Sequence, residues 1–364
     1  MDYFRCGALS GRPVMQASLK RPTLHDVAKQ AGVAVSTVSS ILNNRPDSWS
    51  SQETRDRVVA AARSLHYKPN RMARALRLNR FNAATLVVPD LSNPFFALLA
   101  RSIQRAMEQA GYELLIEDSE ENPEREQRIL GDVASHNTDG VILILCGGAR
   151  LHAARLEELA RTFPVVIFGS AMPDTRIDTL QSDWRVGLRK TLEHLSKLGH
   201  RSIGFVDSLA DRGDYLERVA IFKEELETLG LVLDEKNWVR CRHEVAEVRV
   251  AAGQWASQMP RGQRATAFVC TNDLAALGAI RGLLDAGLSV PDDVSVVGFD
   301  DIPLASYLTR PLTTIAQPIT QMGASASRTL LERISGKLSG PATHQIFPTF
   351  LVSRETTAAP SSAN

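Results

Sequence analysis

From Ala84 onward the chain alternates short, almost wholly apolar runs with amphipathic stretches, and few folds accommodate that alternation. Thr85–Val88, Tyr112–Ile116, Gly140–Leu145 and Val165–Phe168 form a first set of runs; Ser202–Val206, Ala267–Cys270 and Val294–Gly298 form a second. Helical patterns lie between the first four, near 95–111, 123–136 and 150–162. A strand without polar alternation is buried on both faces, which requires helices on both sides of a parallel sheet. The spacing predicts two α/β units joined by crossing strands, with a ligand cleft at the carboxyl ends of the strands.

The N-terminal part follows a different period. Leu24, Val27 and Ala28 recur at helical spacing, Gly32 interrupts, and Val35, Val38, Ile41 and Leu42 resume it. Two short amphipathic helices joined by a tight turn make a helix-turn-helix, whose second helix fits the DNA major groove. A generic two-helix hairpin has the same periodicity. A third helix is expected from near Ser51, with Thr54 three residues on, burying Val58, Val59, Ala62 and Leu65. Pro69 then interrupts the chain, and the short basic run Arg71–Arg77 follows.

The formal net charge of +1 hides an asymmetry: residues 1–80 carry 14 Lys/Arg against 5 Asp/Glu, and the remainder 28 against 36. A basic module on an acidic body suits a protein that neutralises phosphates through its N-terminus and repels DNA elsewhere. No apolar run reaches the roughly 18 residues that suggest a membrane span. The basic N-terminal residues are not followed by the compact apolar block of a signal peptide. Cys6, Cys146, Cys241 and Cys270 are far apart without metal-ligand spacing, as expected of buried thiols in a reducing cytoplasm. With no Gly-rich phosphate loop, no nucleophile elbow and eight scattered His, neither a cofactor, a metal nor catalytic residues are expected.

The order of residues in 23–43, with Ala31-Gly32-Val33 followed by Thr37-Val38-Ser39, resembles the N-terminus of the lactose-repressor family of bacterial transcription regulators. The resemblance runs from about Thr23 to Thr357, and the body is similar to periplasmic sugar-binding proteins as well. It implies a small all-α helix-turn-helix DNA-binding domain plus an α/β two-lobed periplasmic-binding-protein-like effector domain. The implied function is a sequence-specific regulator, most simply a repressor. Its hold on double-stranded operator DNA would be set by a small polar ligand, a sugar or sugar derivative, between the lobes. The expected layout is a disordered extension over 1–20, the DNA-binding domain over 21–67, a hinge helix and linker over 68–82, the effector-binding and dimerisation domain over 83–357, and a tail over 358–364. A homodimer is implied on a two-fold operator, meeting through 95–110 and a helix after Val290-Pro291-Asp292-Asp293. The tail has no heptads and so no tetramer-forming coiled coil.

Carried over position by position, the resemblance gives base reading to Val35, Ser36 and Ser40 and phosphate contact to Thr37 and Ser39, with Thr23 and Asn43 in the DNA-facing set. Val38, Ile41 and Leu42 pack against the first helix. Ala34 stands where the family usually has Ser, removing an N-cap at a cost of roughly 1 kcal/mol. Ser40 stands where Arg or His is frequent, removing a long donor for guanine. Ala73-Arg74-Ala75-Leu76 matches the hinge signature: Leu76 is the apolar wedge entering from the minor groove, and Arg71, Arg74 and Arg77 face phosphates. So short a helix folds only with DNA and a second hinge beside it. Trp49 is expected to cover the small core, the alternative being a place near the sugar-phosphate backbone.

In the body, Phe95 or Phe96 is expected to stack on the ligand and Arg218 to anchor it with its rigid fork of donors. Asn272, a bidentate amide, and Asp300 match effector-binding positions at strand ends, while Asp273 and Asp301 support loops. Asp183 is a further cleft candidate with an equal claim to a structural role. Gly169-Ser170 stands where the family frequently places an Asp, which argues against simply assigning a familiar sugar. The competing readings are a periplasmic-type solute-binding protein, which has no use for residues 23–80, and an enzyme.

Overall fold

The computed structural model describes residues 22–42, 50–68, 80–146, 152–170, 172, 175–208, 213–231, 233–242 and 244–361. The chain divides into two compact units, Met1–Arg80 and Phe81–Asn364.

The first unit holds α1 (Leu24–Ala31), α2 (Val35–Leu42) and α3 (Gln52–Ser64). Thr23 starts α1 through a capping box: its N and Oγ1 both donate to Asp26 Oδ2 at 2.8 Å, and Asp26 N donates back to Thr23 Oγ1. Gly32 ends α1 in the left-handed region (φ 66°), where a residue without Cβ pays least. Ala34 opens α2 with its carbonyl alone, which accepts from Thr37 N and Val38 N. Val27, Ala28, Ala31, Val38, Ile41, Val58, Ala61 and Ala62 form the small core. Val59 does not join it and is 39% exposed. On a helix, Val58, Ala61, Ala62 and Leu65 share one stripe, and Val59 is turned about 100° from the first of them.

The body opens with β1 (Ala83–Val88), α4 (Pro94–Gln109), β2 (Glu113–Asp118), α5 (Pro123–Asp132), β3 (Val141–Ile144), α6 (Ala153–Thr162), β4 (Val165–Phe168) and β5 (Asp178–Asp183). The chain then crosses into α7 (Trp184–Leu198), β6 (Ile203–Ser208), α8 (Gly213–Thr228), β7 (Trp238–Cys241), α9 (Val245–Gln258), β8 (Ala267–Cys270), α10 (Asp273–Asp285), β9 (Ser295–Asp300) and β10 (Thr313–Ala316). It returns through α11 (Ile319–Ser335) to β11 (His344–Pro348), and crosses a third time into β12 (Phe350–Val352).

Two six-stranded sheets result, ordered β11-β5-β4-β3-β1-β2 and β12-β10-β9-β8-β6-β7. Every pairing is parallel except β10 with β12. β1, β3 and β4 are buried on both faces: Val87, Leu143 and Ile167 pack with Ile129, Leu130 and Leu156, while Leu86, Ile142 and Val166 pack with Leu99, Ile103 and Leu330. The run Tyr112–Ile116 departs from the expectation, because β2 is the sheet's edge strand and Leu115 and Ile116 are exposed. In the second lobe Leu188 and Leu192 of α7 join Phe205, Phe222 and Val297.

Three expectations need correction. The segment after Asp293 enters β9 and not a helix, because Ser295–Asp300 is a fully buried strand between β8 and β10. Ala358 is tied to the second lobe: its carbonyl accepts from His200 Nε2 (2.9 Å) and Ser295 Oγ (3.2 Å), so the body continues past 357. Cys146 is half-buried, unlike the buried Cys241 and Cys270. Among the described residues no helix is long and apolar enough to cross a membrane.

Candidate effector cleft and DNA-reading head

A cavity of about 530 Å³ lies between the two sheets, at the carboxyl ends of β1, β3, β4, β5, β8, β9 and β10. All six body residues expected to meet a ligand line it: Phe95, Phe96, Asp183, Arg218, Asn272 and Asp300. Asn93 caps α4, its Oδ1 accepting from Phe95 N at 3.0 Å, and Pro94 follows at the first helical turn. This fixes the two rings at the cleft: Phe95 is buried in the core, Phe96 is half-buried, and they meet edge to face with centroids 5.2 Å apart. Phe96 is therefore the ring with a face left for a ligand.

Arg218 comes from α8 and its Cζ lies over Trp184, 3.3 Å from the ring centroid; Trp184 in turn stacks on Phe299 at 3.7 Å. The stack holds a guanidinium at a fixed height, which a lone flexible Arg would not provide. Asn272 caps α10 with its Oδ1, which accepts from Ala275 N at 2.7 Å. That corrects the bidentate expectation: the acceptor serves the helix start, and the amide Nδ2 is the group left for a ligand. Asp183 likewise caps α7 while lining the cavity, so its two roles coincide.

Asp300 is 6% exposed and sits at φ 112°, a backbone region that favours glycine. Such strain, of order 1–3 kcal/mol, persists where the surroundings enforce it and clusters at binding sites. Gln317 Nε2 donates to its Oδ1 at 2.7 Å, and Gln317 also accepts from Ser182 Oγ at the end of β5. Burial first, then the neighbouring Asp273, push the Asp300 carboxyl well above the usual carboxylate range. Asp273 is fully buried and accepts from Thr314 Oγ1 at 2.5 Å and Ile302 N at 2.8 Å; burial pushes it up to about 7. Asp301 pairs with Arg354, so Asp273 and Asp301 hold the loop as expected.

Sequence reasoning missed Trp184, Glu217 and Gln317, which all line the cavity. Glu217 Oε2 accepts from Ser170 Oγ at 2.8 Å, a bond that joins the lobes across the cleft. The local signal available was position: Trp184 and Gln317 stand at the points where the chain crosses between lobes.

In the head, Ser36 is exposed, and Thr37, Ser39 and Ser40 are half-buried along α2. Ser36 and Ser40 are one helical turn apart and share a face. Val35 packs against the small core, which leaves it less free to read a base. Thr23 is exposed and engaged as the α1 cap. Asn43, Trp49, Arg71, Arg74, Leu76 and Arg77 lie outside the described residues.

A helix-turn-helix unit on a two-lobed, cleft-bearing body defines a ligand-responsive DNA-binding regulator. Residues 23–70 match the family model for bacterial regulatory proteins of the lacI family, and residues 192–357 match the periplasmic binding protein-like domain. The HTH-type transcriptional regulator DegA of Bacillus subtilis (strain 168) is 32% identical over 318 residues, 87% of this chain and 93% of DegA. The lac repressor dimer bound to operator and the anti-inducer ONPF is similar at TM-score 0.81 and 28% identity, covering 93% of this chain and 100% of that one. The transcriptional regulator CelR in complex with cellobiose is similar at TM-score 0.67 and 27% identity, covering 92% of this chain and 100% of that one. The chain belongs to the lacI family of bacterial regulatory proteins and is a DNA-binding transcriptional regulator.

Proposed function

We propose that the protein is a repressor that holds a two-fold operator as a homodimer, and that a small polyhydroxylated ligand in the cleft sets its operator affinity. The observation that carries the effector part is the Arg218–Trp184–Phe299 stack facing the half-buried Phe96 across one cavity. A fixed guanidinium brackets vicinal hydroxyls, and an aromatic face covers the apolar side of a sugar ring. The similar CelR was solved with cellobiose. The reading gives the cleft a binding role and no catalytic step, and such a regulator works beside its operator in the bacterial cytoplasm.

On the DNA side, Ser36 and Ser40 are the residues we assign to base edges, with Thr37, Ser39, Thr23 and Asn43 at the backbone. Leu76 is assigned as the minor-groove wedge, with Arg71, Arg74 and Arg77 on phosphates. The dimer contact is assigned to α4 and the neighbouring edge strand β2, where Leu115 (42%) and Ile116 (38%) are exposed. Ligand binding alters the relation of the lobes, and paired hinge segments over 68–82 order or melt in response. The ligand's differential affinity for the two lobe arrangements sets the sign of the response.

The test is a footprint of the purified protein on its own upstream DNA, repeated with Leu76→Ala. One protected, near-palindromic site that is lost in the variant supports the reading. Protection that ignores sequence and Leu76 counts against it.

A further inference from the structure

The charges along the cleft carry information about the ligand beyond its hydroxyls. Five carboxylates line the cavity (Glu121, Asp183, Glu217, Glu224 and Asp300) against two guanidiniums, Arg185 and Arg218. Arg185 is already shared, its Nη2 donating to Glu224 at 2.7 Å and its Nη1 to Glu225 at 2.8 Å. Arg218 is laid on Trp184 and faces Asp300. Asp183 serves the positive start of α7.

Glu217 remains at the exposed rim. Its Oε2 meets the neutral Ser170 hydroxyl of the opposite lobe, and no described cation pairs with it. At the floor, Asp300 is received only by the Gln317 amide among its hydrogen-bond partners in the described residues. A phosphate or carboxylate in this cavity meets Glu217, which no described cation pairs, and at the floor a buried Asp300 that Arg218 already faces, whereas an ammonium finds an acceptor at the rim.

Resting on the effector reading above, we propose that the cleft selects an aminated polyol, a ligand carrying an ammonium among its hydroxyls, and that Glu217 is the residue that makes the selection. Ser170 fits this role: where a second carboxylate would repel Glu217, the hydroxyl fixes one carboxylate oxygen and leaves Oε1 for the ligand.

The test is isothermal titration calorimetry of the full-length protein and Glu217→Gln against matched hexoses. The set contains glucosamine, galactosamine and mannosamine, their N-acetyl forms, the parent hexoses and the parent 6-phosphates. The expected result is that at least one free amine binds about tenfold or more tightly than its N-acetyl partner, the scale of one charge-assisted hydrogen bond. The same ratio falls to about twofold in Glu217→Gln, and no 6-phosphate binds. Neutral hexoses that bind without preference for the amine, a bound 6-phosphate, or a ratio unchanged in Glu217→Gln would each overturn the selection and leave the polyol reading standing. A set in which no member of any charge class binds overturns both.

Discussion

At the first lobe, buried carboxylates are paired. Asp178 receives Arg333 through two bonds of 2.9 Å, and Glu126 receives His152 Nε2 at 2.8 Å and Cys146 N at 2.7 Å. In the second lobe Glu225 is paired in the same way, by Arg185 and Arg189, but Asp273 and Asp300 at the cleft have among the described residues only a threonine hydroxyl, a backbone N–H and a glutamine amide as donors. The consequence shows in their acidities. Burial raises Asp178 too, but hydrogen bonds from Arg333 and Thr343 outweigh it and hold that carboxyl below its ordinary value, whereas Asp273 is pushed up to about 7. A buried charge with a full set of partners stabilises a scaffold; one left short of a cation is a cost carried for something else. The cleft walls follow the same division. The first lobe presents Phe95, Phe96 and Phe168, and the second presents Arg218, Glu217 and Asp300. On the proposed reading, the first wall would cover an apolar face of the ligand and the second would recognise its polar groups.

The largest expected effect tests that division through stability. Asp178→Ala leaves Arg333 without its buried partner and costs about 3–5 kcal/mol, read as a large drop in Tm by circular dichroism. Asp300→Asn, by contrast, is expected to hold or raise Tm, because it removes a buried carboxyl whose desolvation outweighs the Gln317 amide and the nearby Arg218 guanidinium. Equal losses in the two variants would erase the difference between the lobes.

A second test uses pH. The folded Asp273 binds its proton more tightly than the unfolded chain does, so its contribution is fully present below about pH 4 and is lost as pH rises to about 7. The shift from 3.8 to about 7 corresponds to on the order of 4 kcal/mol. The stability difference between wild type and Asp273→Asn should therefore change through pH 4–7 in urea melts and level off above. A difference independent of pH would contradict the assignment.

Smaller effects concern the ligand. Asp300→Asn should weaken binding by roughly 10- to 100-fold, the loss of a charged hydrogen-bonding group. Phe96→Ala should weaken it by roughly two- to tenfold, the worth of one aromatic contact. Calorimetry checks both, and a Phe96 loss exceeding that of Asp300 would reverse the roles given to the two walls.

Much of this was legible in the sequence because the apolar runs were long enough to mark strand ends, and strand ends are where an open α/β sheet binds. Asn272, Asp300 and the aromatic pair after β1 stand at such ends and line the cavity, and it was the family resemblance that singled them out. β5 escaped because Asp178–Asp183 reads as polar: its burial is sustained by Arg333, Thr343 and Gln317, which lie far along the chain. Trp184 and Glu217 escaped for the same reason, since their partners Phe299 and Ser170 are distant in sequence. In the head, periodicity found all three helices but misassigned Val59, a residue adjacent in sequence to the buried stripe and off it in space. The double duty of Asn272 became visible only when α10 was seen to begin at the residue after it.

The central claim is that a ligand held by the charged wall controls the grip on DNA. The measurement that tests it most directly is operator affinity of wild type and Arg218→Ala, with and without the tightest-binding member of the hexose set. The account predicts a shift of about fivefold or more for wild type, typical of coupling between sites, and none for Arg218→Ala at the same ligand concentration. An Arg218→Ala protein that responds as wild type does, or a bound ligand that leaves wild-type operator affinity unmoved, would contradict it.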